Sequence, residues 1–186
     1  MSTQPDRFLT PEEYLAIERA AETKSEYFAG EMFALAGASR RHNRIVANLI
    51  IELGNQLEAG PCEVYPSDMR VKVSETGLYT YPNVLVVRGE PELEDDDILL
   101  NPRLILEVLS PSTEAYDRGR KFEHYRRIPS LAEYLLVAQD SHRIEQYTRQ
   151  DGERWLLTEV RGPNGVVRCE TVACELNCAR VYRNAF

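Results

Sequence analysis

The sequence lacks the features by which several classes of protein are identified. No apolar run approaches the roughly 18 residues of a membrane span. The polar start, 1–10, has no apolar core of the kind found in signal peptides. The Gly-rich phosphate loop, the GxSxG nucleophile elbow and the HExxH zinc motif are also absent. These absences predict a cytoplasmic protein with no membrane partner, and they exclude the enzyme classes that those three motifs identify.

Cysteine is scarce, with four residues in a chain of 186. That number is too small for a disulfide scaffold at this length, so we expect reduced thiols. Cys169, Cys174 and Cys178 are separated by four and three residues, which is not the spacing of a zinc finger, and no fourth ligand lies nearby. We interpret them as ordinary thiols.

Positive charge is outnumbered, because 22 Lys and Arg face 30 Asp and Glu and give a net charge of −8. This balance argues weakly against nonspecific nucleic-acid binding, which usually leaves a basic surface. Six of the acids lie in segment 90–97, and the rest of the chain carries only −2. We interpret that segment as a solvated loop. The near-neutral remainder can still carry a local basic groove.

Hydrophobic patterning predicts helices and strands in a mixed order. The capping residues Thr10, Ser39 and Ser112, together with one-sided apolar faces, indicate helices over 10–21, 39–57 and 112–127. A hairpin is indicated around Ala29-Gly30, and apolar runs indicate strands near 69–73, 84–87, 104–109 and 134–138. Three antiparallel strands are predicted near the end, the last two joined by 162–165: they are 144–148, 155–160 and 166–169. This order predicts an α/β (α+β) fold with a mixed sheet.

No linker or internal repeat divides the chain, so the sequence predicts a single domain over 1–186. Within it we expect an N-terminal helix and hairpin appendage, a core and a β-rich tail, over 1–36, 39–140 and 141–186.

Glu107 is the most informative residue, because it lies inside an otherwise apolar strand. A carboxylate on a central strand is costly to desolvate unless it is paired, hydrogen-bonded or metal-bound. A catalytic site and a structural ion pair explain it equally well. Asn83 follows a proline at the start of the preceding apolar strand, a position that is equally typical of a turn.

The third predicted helix brings polar residues to one face, since Asp117, Lys121 and Tyr125 are spaced i, i+4, i+8. A solvated ion pair between Asp117 and Lys121 is the simpler interpretation of that spacing. The helix is also basic within an acidic protein, which makes it a candidate phosphate-facing surface. Its basic residues are Arg118, Arg120, Lys121, Arg126 and Arg127.

Two further polar residues have simple interpretations. His42 is in register with the apolar face of the second helix, where a lone histidine is more often a core residue. Asp68 alternates away from the apolar face of its strand and is typical of plain surface.

Several motifs occur together in the second half of the chain. They are Tyr81-Pro-Asn-Val-Leu-Val-Val87, Asn101-Pro-Arg-Leu-Ile-Leu-Glu-Val-Leu-Ser-Pro-Ser-Thr113, the spaced Asp117, Lys121 and Tyr125, and Ile128-Pro-Ser-Leu-x-Glu-Tyr134. Together they resemble the Uma-type family of bacterial restriction-endonuclease-like proteins, which is placed in the PD-(D/E)xK phosphodiesterase superfamily. The hairpin 26–36 and Gly37-Ala-Ser-x2-His42 resemble the N-terminal part of that family. The match extends from about Thr10 to Phe186.

The resemblance implies a restriction-endonuclease-like αβββαβ core with a mixed central sheet. It also implies hydrolysis of DNA phosphodiester bonds with Mg²⁺ or Mn²⁺, held by an aspartate on the second core strand and a glutamate on the third, with a lysine beside them. These roles fall on Asn83, Glu107 and Lys121. The remaining candidates are His42, Tyr125 and Arg118 for substrate binding, and Asp68 or Glu31 for the metal.

Two departures from the superfamily pattern bear on activity. The superfamily lysine usually lies two residues after the glutamate, where this chain has Leu109, and the family resemblance moves the amine to Lys121. The expected aspartate is Asn83, whose amide oxygen brings no net charge to a cation. Glu107 and Lys121 then sum to zero and can form an internal ion pair. We therefore expect weak metal affinity.

The sequence thus predicts an Mg²⁺-dependent DNA endonuclease that is weakened or inactivated by Asn83. We expect a homodimer, because nucleases that cut both strands of a duplex are often two-fold symmetric. The alternative is a catalytically inactive module that binds nucleic acid or protein and retains the nuclease fold. No motif supports an enzyme of another class.

Overall fold

The structure, a computed structural model, describes residues 8–151 and 153–186. The prediction that the chain has no signal peptide is based on residues 1–10, and most of these lie outside the described residues. The helical elements are α1 (Pro11–Ala20), α2 (Arg40–Leu57), α3 (Glu114–Tyr116), a π-helical turn (Asp117–Lys121), α4 (Phe122–Tyr125) and α5 (Cys178–Val181). The strands are β1 (Ser25–Phe28), β2 (Glu31–Ala34), β3 (Cys62–Pro66), β4 (Arg70–Val73), β5 (Leu78–Thr80), β6 (Val84–Arg88), β7 (Leu93–Glu94), β8 (Ile98–Leu99), β9 (Leu104–Val108), β10 (Glu133–Val137), β11 (Arg143–Arg149), β12 (Trp155–Arg161), β13 (Val166–Cys169) and β14 (Cys174–Asn177).

A six-stranded mixed sheet forms the centre of the protein, with the order β12-β11-β10-β9-β6-β3. β9 and β10 are parallel, and the other neighbours are antiparallel. The helical segment from α3 to α4 makes the crossover between the two parallel strands. The apolar sequences of β6, β9 and β10 are buried along nearly their whole length, because both faces of the sheet are covered. The predicted α+β class with a mixed sheet is confirmed.

Helices cover the two faces of the central sheet. On one face α2 buries Ile45, Leu49 and Leu53, which pack with residues of the sheet and of the C-terminal segment. On the other face Tyr125 of α4 joins a second buried cluster. Ser39 caps α2 as the sequence predicts, since its hydroxyl accepts the N–H of His42 at 3.1 Å. Among the described residues, no helix has both the length and the apolarity to cross a bilayer.

A second sheet, with the order β2-β1-β5-β4-β8-β7, continues from the first. Each of the two predicted strands near 69–73 and 84–87 is preceded by a further short strand, so that β3 is followed by β4 and β5 by β6. Pro66 and Pro82 lie at the boundaries between these strands, and a proline has no N–H to donate to a strand ladder. The boundary between β5 and β6 places Asn83 where the two sheets meet.

The acidic segment 90–97 is folded, which differs from the predicted solvated loop. It contains β7, and its last acid directly precedes β8, whose residues are buried. Lys72 pairs with Glu94 at 2.7 Å, and Arg70 pairs with Asp97 at 2.9 Å. Basic residues of the second sheet therefore neutralise part of the run and hold it against the protein.

The C-terminal strands differ in their pairing from the sequence prediction. β11 and β12 pair with each other and extend the central sheet, whereas β13 pairs with β14 in a separate two-stranded sheet. The strand β14 and the helix α5 were not predicted. Cys169, Cys174 and Cys178 are free thiols in these elements.

The third predicted helix is present with a different start and an irregular middle. Its helical residues begin at Glu114, and Thr113 takes the N-cap position without a capping hydrogen bond from its side chain. The N–H of Thr113 is instead accepted by the hydroxyl of Ser110 at 3.3 Å, so the predicted cap at Ser112 is wrong. The π-helical turn Asp117–Lys121 interrupts the α-helical pattern, and such turns are frequent at functional sites.

Candidate active site

A cavity of about 400 Å³ opens where the start of α2, the ends of β6 and β9 and the π-helical turn meet. Four of the predicted site residues line it, namely His42, Asn83, Glu107 and Lys121. Asp117 of the π-helical turn lines it as well. The structure therefore brings together residues that lie far apart in the sequence.

Glu107 lies at the floor of this cavity and is 2% exposed. Its Oε1 accepts the hydroxyl of Tyr125 at 2.9 Å and lies 2.9 Å from Nζ of Lys121. Its Oε2 accepts the backbone N–H of Asn83 at 3.2 Å. Both carboxylate oxygens thus have protein partners, which offset the desolvation of the charge.

Lys121 is surrounded by three carboxylates. Its Nζ lies 2.9 Å from Glu107, 3.0 Å from Glu26 and 3.7 Å from Asp117. All four side chains are buried, so the pair of Asp117 with Lys121 is not the solvated surface pair suggested by its spacing. If every group is ionised, the cluster carries −2 rather than the zero expected from Glu107 and Lys121 alone.

Glu26 of β1 is the site residue that the sequence reasoning missed. Its Oε1 also accepts the hydroxyl of Thr80, which is fully buried on β5. Glu26 is followed by Tyr27 and Phe28 in a short apolar strand. An acid in such surroundings is the signal that identified Glu107, and it applies here as well.

Burial controls the protonation of the cluster. Desolvation raises the pKa of Glu107 to about 7, against the lowering effect of Lys121, and it also raises the pKa of Asp117. For Lys121, burial alone lowers the pKa, but the attraction of Glu107, Glu26 and Asp117 outweighs it and holds the pKa well above its ordinary value. Lys121 is therefore charged at neutral pH, while Glu107 changes its protonation state near pH 7.

Asn83 is fixed in one orientation by the central sheet. Its Oδ1 accepts the backbone N–H of Val108 at 2.7 Å. The other terminal atom of its side chain is Nδ2, an amide donor that cannot ligate a cation. An aspartate held in the same way would have a second carboxylate oxygen in that place.

His42 is exposed to the cavity on one side and buried on the other. Its Nδ1 is buried and has no hydrogen-bond partner within the described part of the chain. Desolvation lowers the pKa of the imidazole, against smaller opposing contributions from Asn83 and Val108. The ring is therefore neutral at pH 7 and can accept or donate a hydrogen bond.

The other predicted site residues lie outside the described cavity lining. Tyr125 is fully buried, and its hydroxyl donates a hydrogen bond to Glu107. Arg118 pairs with Glu114 and Glu145 on the far side of the helical segment. Asp68 pairs with Lys24 at 2.8 Å and its side chain is 85% exposed, and Glu31 is exposed on β2. Neither acid lines the cavity.

The residues present do not fit a divalent cation as they are arranged. Within residues 8–151 and 153–186, no group of three or more His, Cys, Asp and Glu side chains is placed to hold one. The carboxylate oxygens of Glu107 are bound by Lys121, Tyr125 and the backbone of Asn83. The only side-chain oxygen of Asn83 accepts the backbone N–H of Val108. The negative charge of the cluster favours a cation, but the donor atoms do not converge on one.

Comparison with known proteins identifies relatives over nearly the whole chain. The Uma2 family, described as "Putative restriction endonuclease", matches residues 11–180. Two Synechocystis relatives are "Uncharacterized protein sll1609", 42% identical over 87% of this chain and 92% of its own, and "Uncharacterized protein slr1290", 41% identical over 80% and 78%. A crystal structure from Anabaena variabilis, described as "a putative nuclease belonging to DUF820", has a TM-score of 0.78 at 17% identity and covers 96% of this chain and 99% of that one. This last likeness establishes the fold.

Proposed function

Since the chain belongs to the Uma2 family of restriction-endonuclease-like proteins, we propose that it is a metal-dependent DNA endonuclease whose site is the Glu107 cavity. Its hydrolysis of phosphodiester bonds is weakened or abolished by Asn83. Glu107 and Lys121 are the proposed catalytic residues, with Asn83 at the position of the expected metal-binding aspartate. His42 lines the cavity and is the proposed contact to a phosphate oxygen.

The observation that carries the proposal is the hydrogen bond between Val108 N–H and Oδ1 of Asn83, at 2.7 Å. Because this bond consumes the only oxygen of the side chain, the atom left beside the cavity is an amide nitrogen. Mg²⁺ in proteins takes oxygen ligands, usually from one or two carboxylates, water and phosphate. Asparagine in place of the expected aspartate therefore removes both a charge and a ligand atom from the site.

Plasmid nicking with Mg²⁺ or Mn²⁺ tests this proposal on the natural protein and on Asn83→Asp. The expected result is weak or no nicking by the natural protein and at least tenfold faster nicking by Asn83→Asp. Glu107→Gln and Lys121→Met in the Asn83→Asp background should abolish the gain. Ser112→Asp, which adds the same charge to the lining of the same cavity away from the start of α2, is the matched control and should leave nicking unchanged.

Equal and robust nicking by the natural protein and Asn83→Asp would contradict the weakening. Nicking by neither, with intact folding and DNA binding, would favour the alternative function, a non-catalytic nucleic-acid-binding module. The specific observation for that alternative is the closed ion pair of Glu107 with Lys121, which satisfies both groups without a metal.

A homodimer is part of the proposal, and β12 offers a surface for it. This strand is the outer edge of the central sheet, and Leu156 and Leu157 on it are 52% and 50% exposed. An exposed edge with apolar side chains is a template for pairing with a second strand. Sedimentation of the natural protein against Leu156→Lys tests it, with a dimer expected only for the former.

A further inference from the structure

The basic residues of the segment from α3 to α4 do not form a free cationic surface, although the sequence suggested one. Arg118 is bound by two glutamates, and Lys121 is buried among carboxylates. Arg127 lies 3.4 Å from Glu75, and Arg126 packs over the ring of Phe122. Most of the positive charge of this segment is therefore neutralised or directed away from the cavity.

A different group of arginines remains free beside the cavity, in the sequence Arg40-Arg41-His42-Asn43-Arg44 at the start of α2. Arg40, Arg41 and Arg44 are exposed, and none of the three is paired with an acid within the described residues. Arg41 makes only a long contact from Nη1 to the carbonyl of Gln139, at 3.5 Å, and lies over the ring of Phe186. We name Arg40, Arg41 and Arg44 the arginine surface.

The position of the arginine surface is unfavourable for the stability of α2. The first turn of α2 holds no acidic residue, and cations at the beginning of a helix oppose the helix dipole. Apart from the contacts of Arg41 with Phe186 and Gln139, no ion pair within the described residues offsets this cost. An anionic partner would supply the missing negative charge, and guanidinium groups suit the geometry of phosphate oxygens.

The arginine surface also adjoins the candidate active site. His42 and Asn43, in the same stretch of chain, line the main cavity. Arg40 and Arg41 line a second cavity of about 460 Å³, and Ser39 and Gln139 line both. A polyanion that enters the first cavity and continues into the second passes over the start of α2.

From this placement we propose that Arg40, Arg41 and Arg44 bind the sugar-phosphate backbone of DNA next to the phosphate presented to Glu107. This inference rests on the proposed function and specifies how the substrate is held. The arginines contact phosphates only, so they supply affinity without reading the base sequence.

The test is DNA binding by fluorescence anisotropy over a salt series, with a labelled duplex. The triple variant Arg40→Gln/Arg41→Gln/Arg44→Gln is compared with a control of equal charge change on the other helical segment, Arg120→Gln/Arg126→Gln/Arg127→Gln, whose three residues are also exposed. The α2 variant should bind at least tenfold more weakly near 100 mM salt. Its slope of log K against log salt should fall by about 2 to 3, since each phosphate contact contributes about 0.9.

The control should bind within about twofold of the natural protein, because it loses the same charge without losing phosphate contacts. Equal weakening in both variants, or no weakening in the α2 variant, would overturn the arginine surface while leaving the nicking result of Asn83→Asp intact. If the natural protein binds no DNA even at low salt, the proposed function fails, and the arginine surface fails with it. The melting temperature of the α2 variant should be unchanged or raised, which separates lost binding from misfolding.

Discussion

Oε1 of Glu26 lies 3.0 Å from Nζ of Lys121, although Glu26 comes from the N-terminal hairpin and Lys121 from the π-helical turn. The N-terminal hairpin therefore contributes a buried carboxylate to the site, and we expect it to contribute to the stability of the site. Since β1 also pairs with β5, which leads directly to Asn83, the hairpin supports the site through the backbone as well.

Glu26→Ala should destabilise the protein by about 1 to 3 kcal/mol at pH 7, because it leaves the buried hydroxyl of Thr80 without its acceptor and removes one partner of Lys121. Glu31→Ala, an exposed acid of the same hairpin, is the matched control and should change stability by less than about 0.5 kcal/mol. Urea unfolding followed by circular dichroism measures both. Equal effects of the two substitutions would show that Glu26 is not part of a coupled buried cluster.

Lys121→Met should be more damaging, by about 3 to 5 kcal/mol at pH 7, because it leaves Glu26, Glu107 and Asp117 buried without a counter-charge. The loss should be smaller at pH 5, where the uncompensated carboxyls take up protons. Lys24→Met provides the comparison, since Lys24 also lines the cavity but pairs with the exposed Asp68, and such pairs contribute at most about 1 kcal/mol. The free energy of unfolding measured at pH 5 and pH 7 tests this. A loss of stability in Lys121→Met that does not depend on pH would contradict the explanation by uncompensated carboxylates.

Local patterns in the sequence identified the residues whose environment is set by their own strand or helix. Glu107 is an example, because continuous apolar sequence around it indicates a strand covered on both faces, and the structure buries it there. The caps at Thr10 and Ser39 were predictable for the same reason, since the capping partners lie within three residues.

Features set by distant partners were not predictable in this way. Arg70 alternates with the buried Val71 and is expected to face solvent, yet it is only 5% exposed. It is held by the hydroxyl of Tyr81 at 2.8 Å and by Asp97 at 2.9 Å, and Asp97 belongs to the acidic run interpreted as a loop. The charge of the site was misjudged for a similar reason, because Glu26 reaches Lys121 only after the hairpin docks on β5.

Stability should depend on pH through Glu107. Its pKa in the folded protein is about 7, above the ordinary 4.5, so the folded state binds more protons than the unfolded state between these values. The contribution of Glu107 is therefore fully present below about pH 4.5 and is lost as the pH rises to 7. The loss amounts to at most about 3 to 4 kcal/mol, at about 1.4 kcal/mol for each pKa unit.

Glu107→Gln isolates this contribution, because the amide does not titrate while Lys121 retains Glu26 and Asp117. The measurement is the free energy of unfolding of the natural protein minus that of Glu107→Gln, taken from pH 4.5 to 8. This difference should fall as the pH rises through the window and level off above it. A flat or rising difference would mean that Glu107 is ionised throughout, as a purely structural ion pair requires.

Divalent cations should separate the natural protein from Asn83→Asp even in the absence of DNA. With Oδ1 held by Val108, the substitution replaces the amide nitrogen by an oxygen and adds a charge to a cluster that already holds three carboxylates. Without metal, Asn83→Asp should therefore melt at a lower temperature than the natural protein. Addition of Mg²⁺ or Mn²⁺ should reverse this, with a stabilisation of about 2.7 kcal/mol at 100 times the dissociation constant, and EDTA should remove it.

The natural protein should shift little with the same ions, and Ser112→Asp should behave like the natural protein. Identical shifts in all three proteins would mean that residue 83 does not govern cation binding, and the explanation of weak hydrolysis by Asn83 would then be wrong.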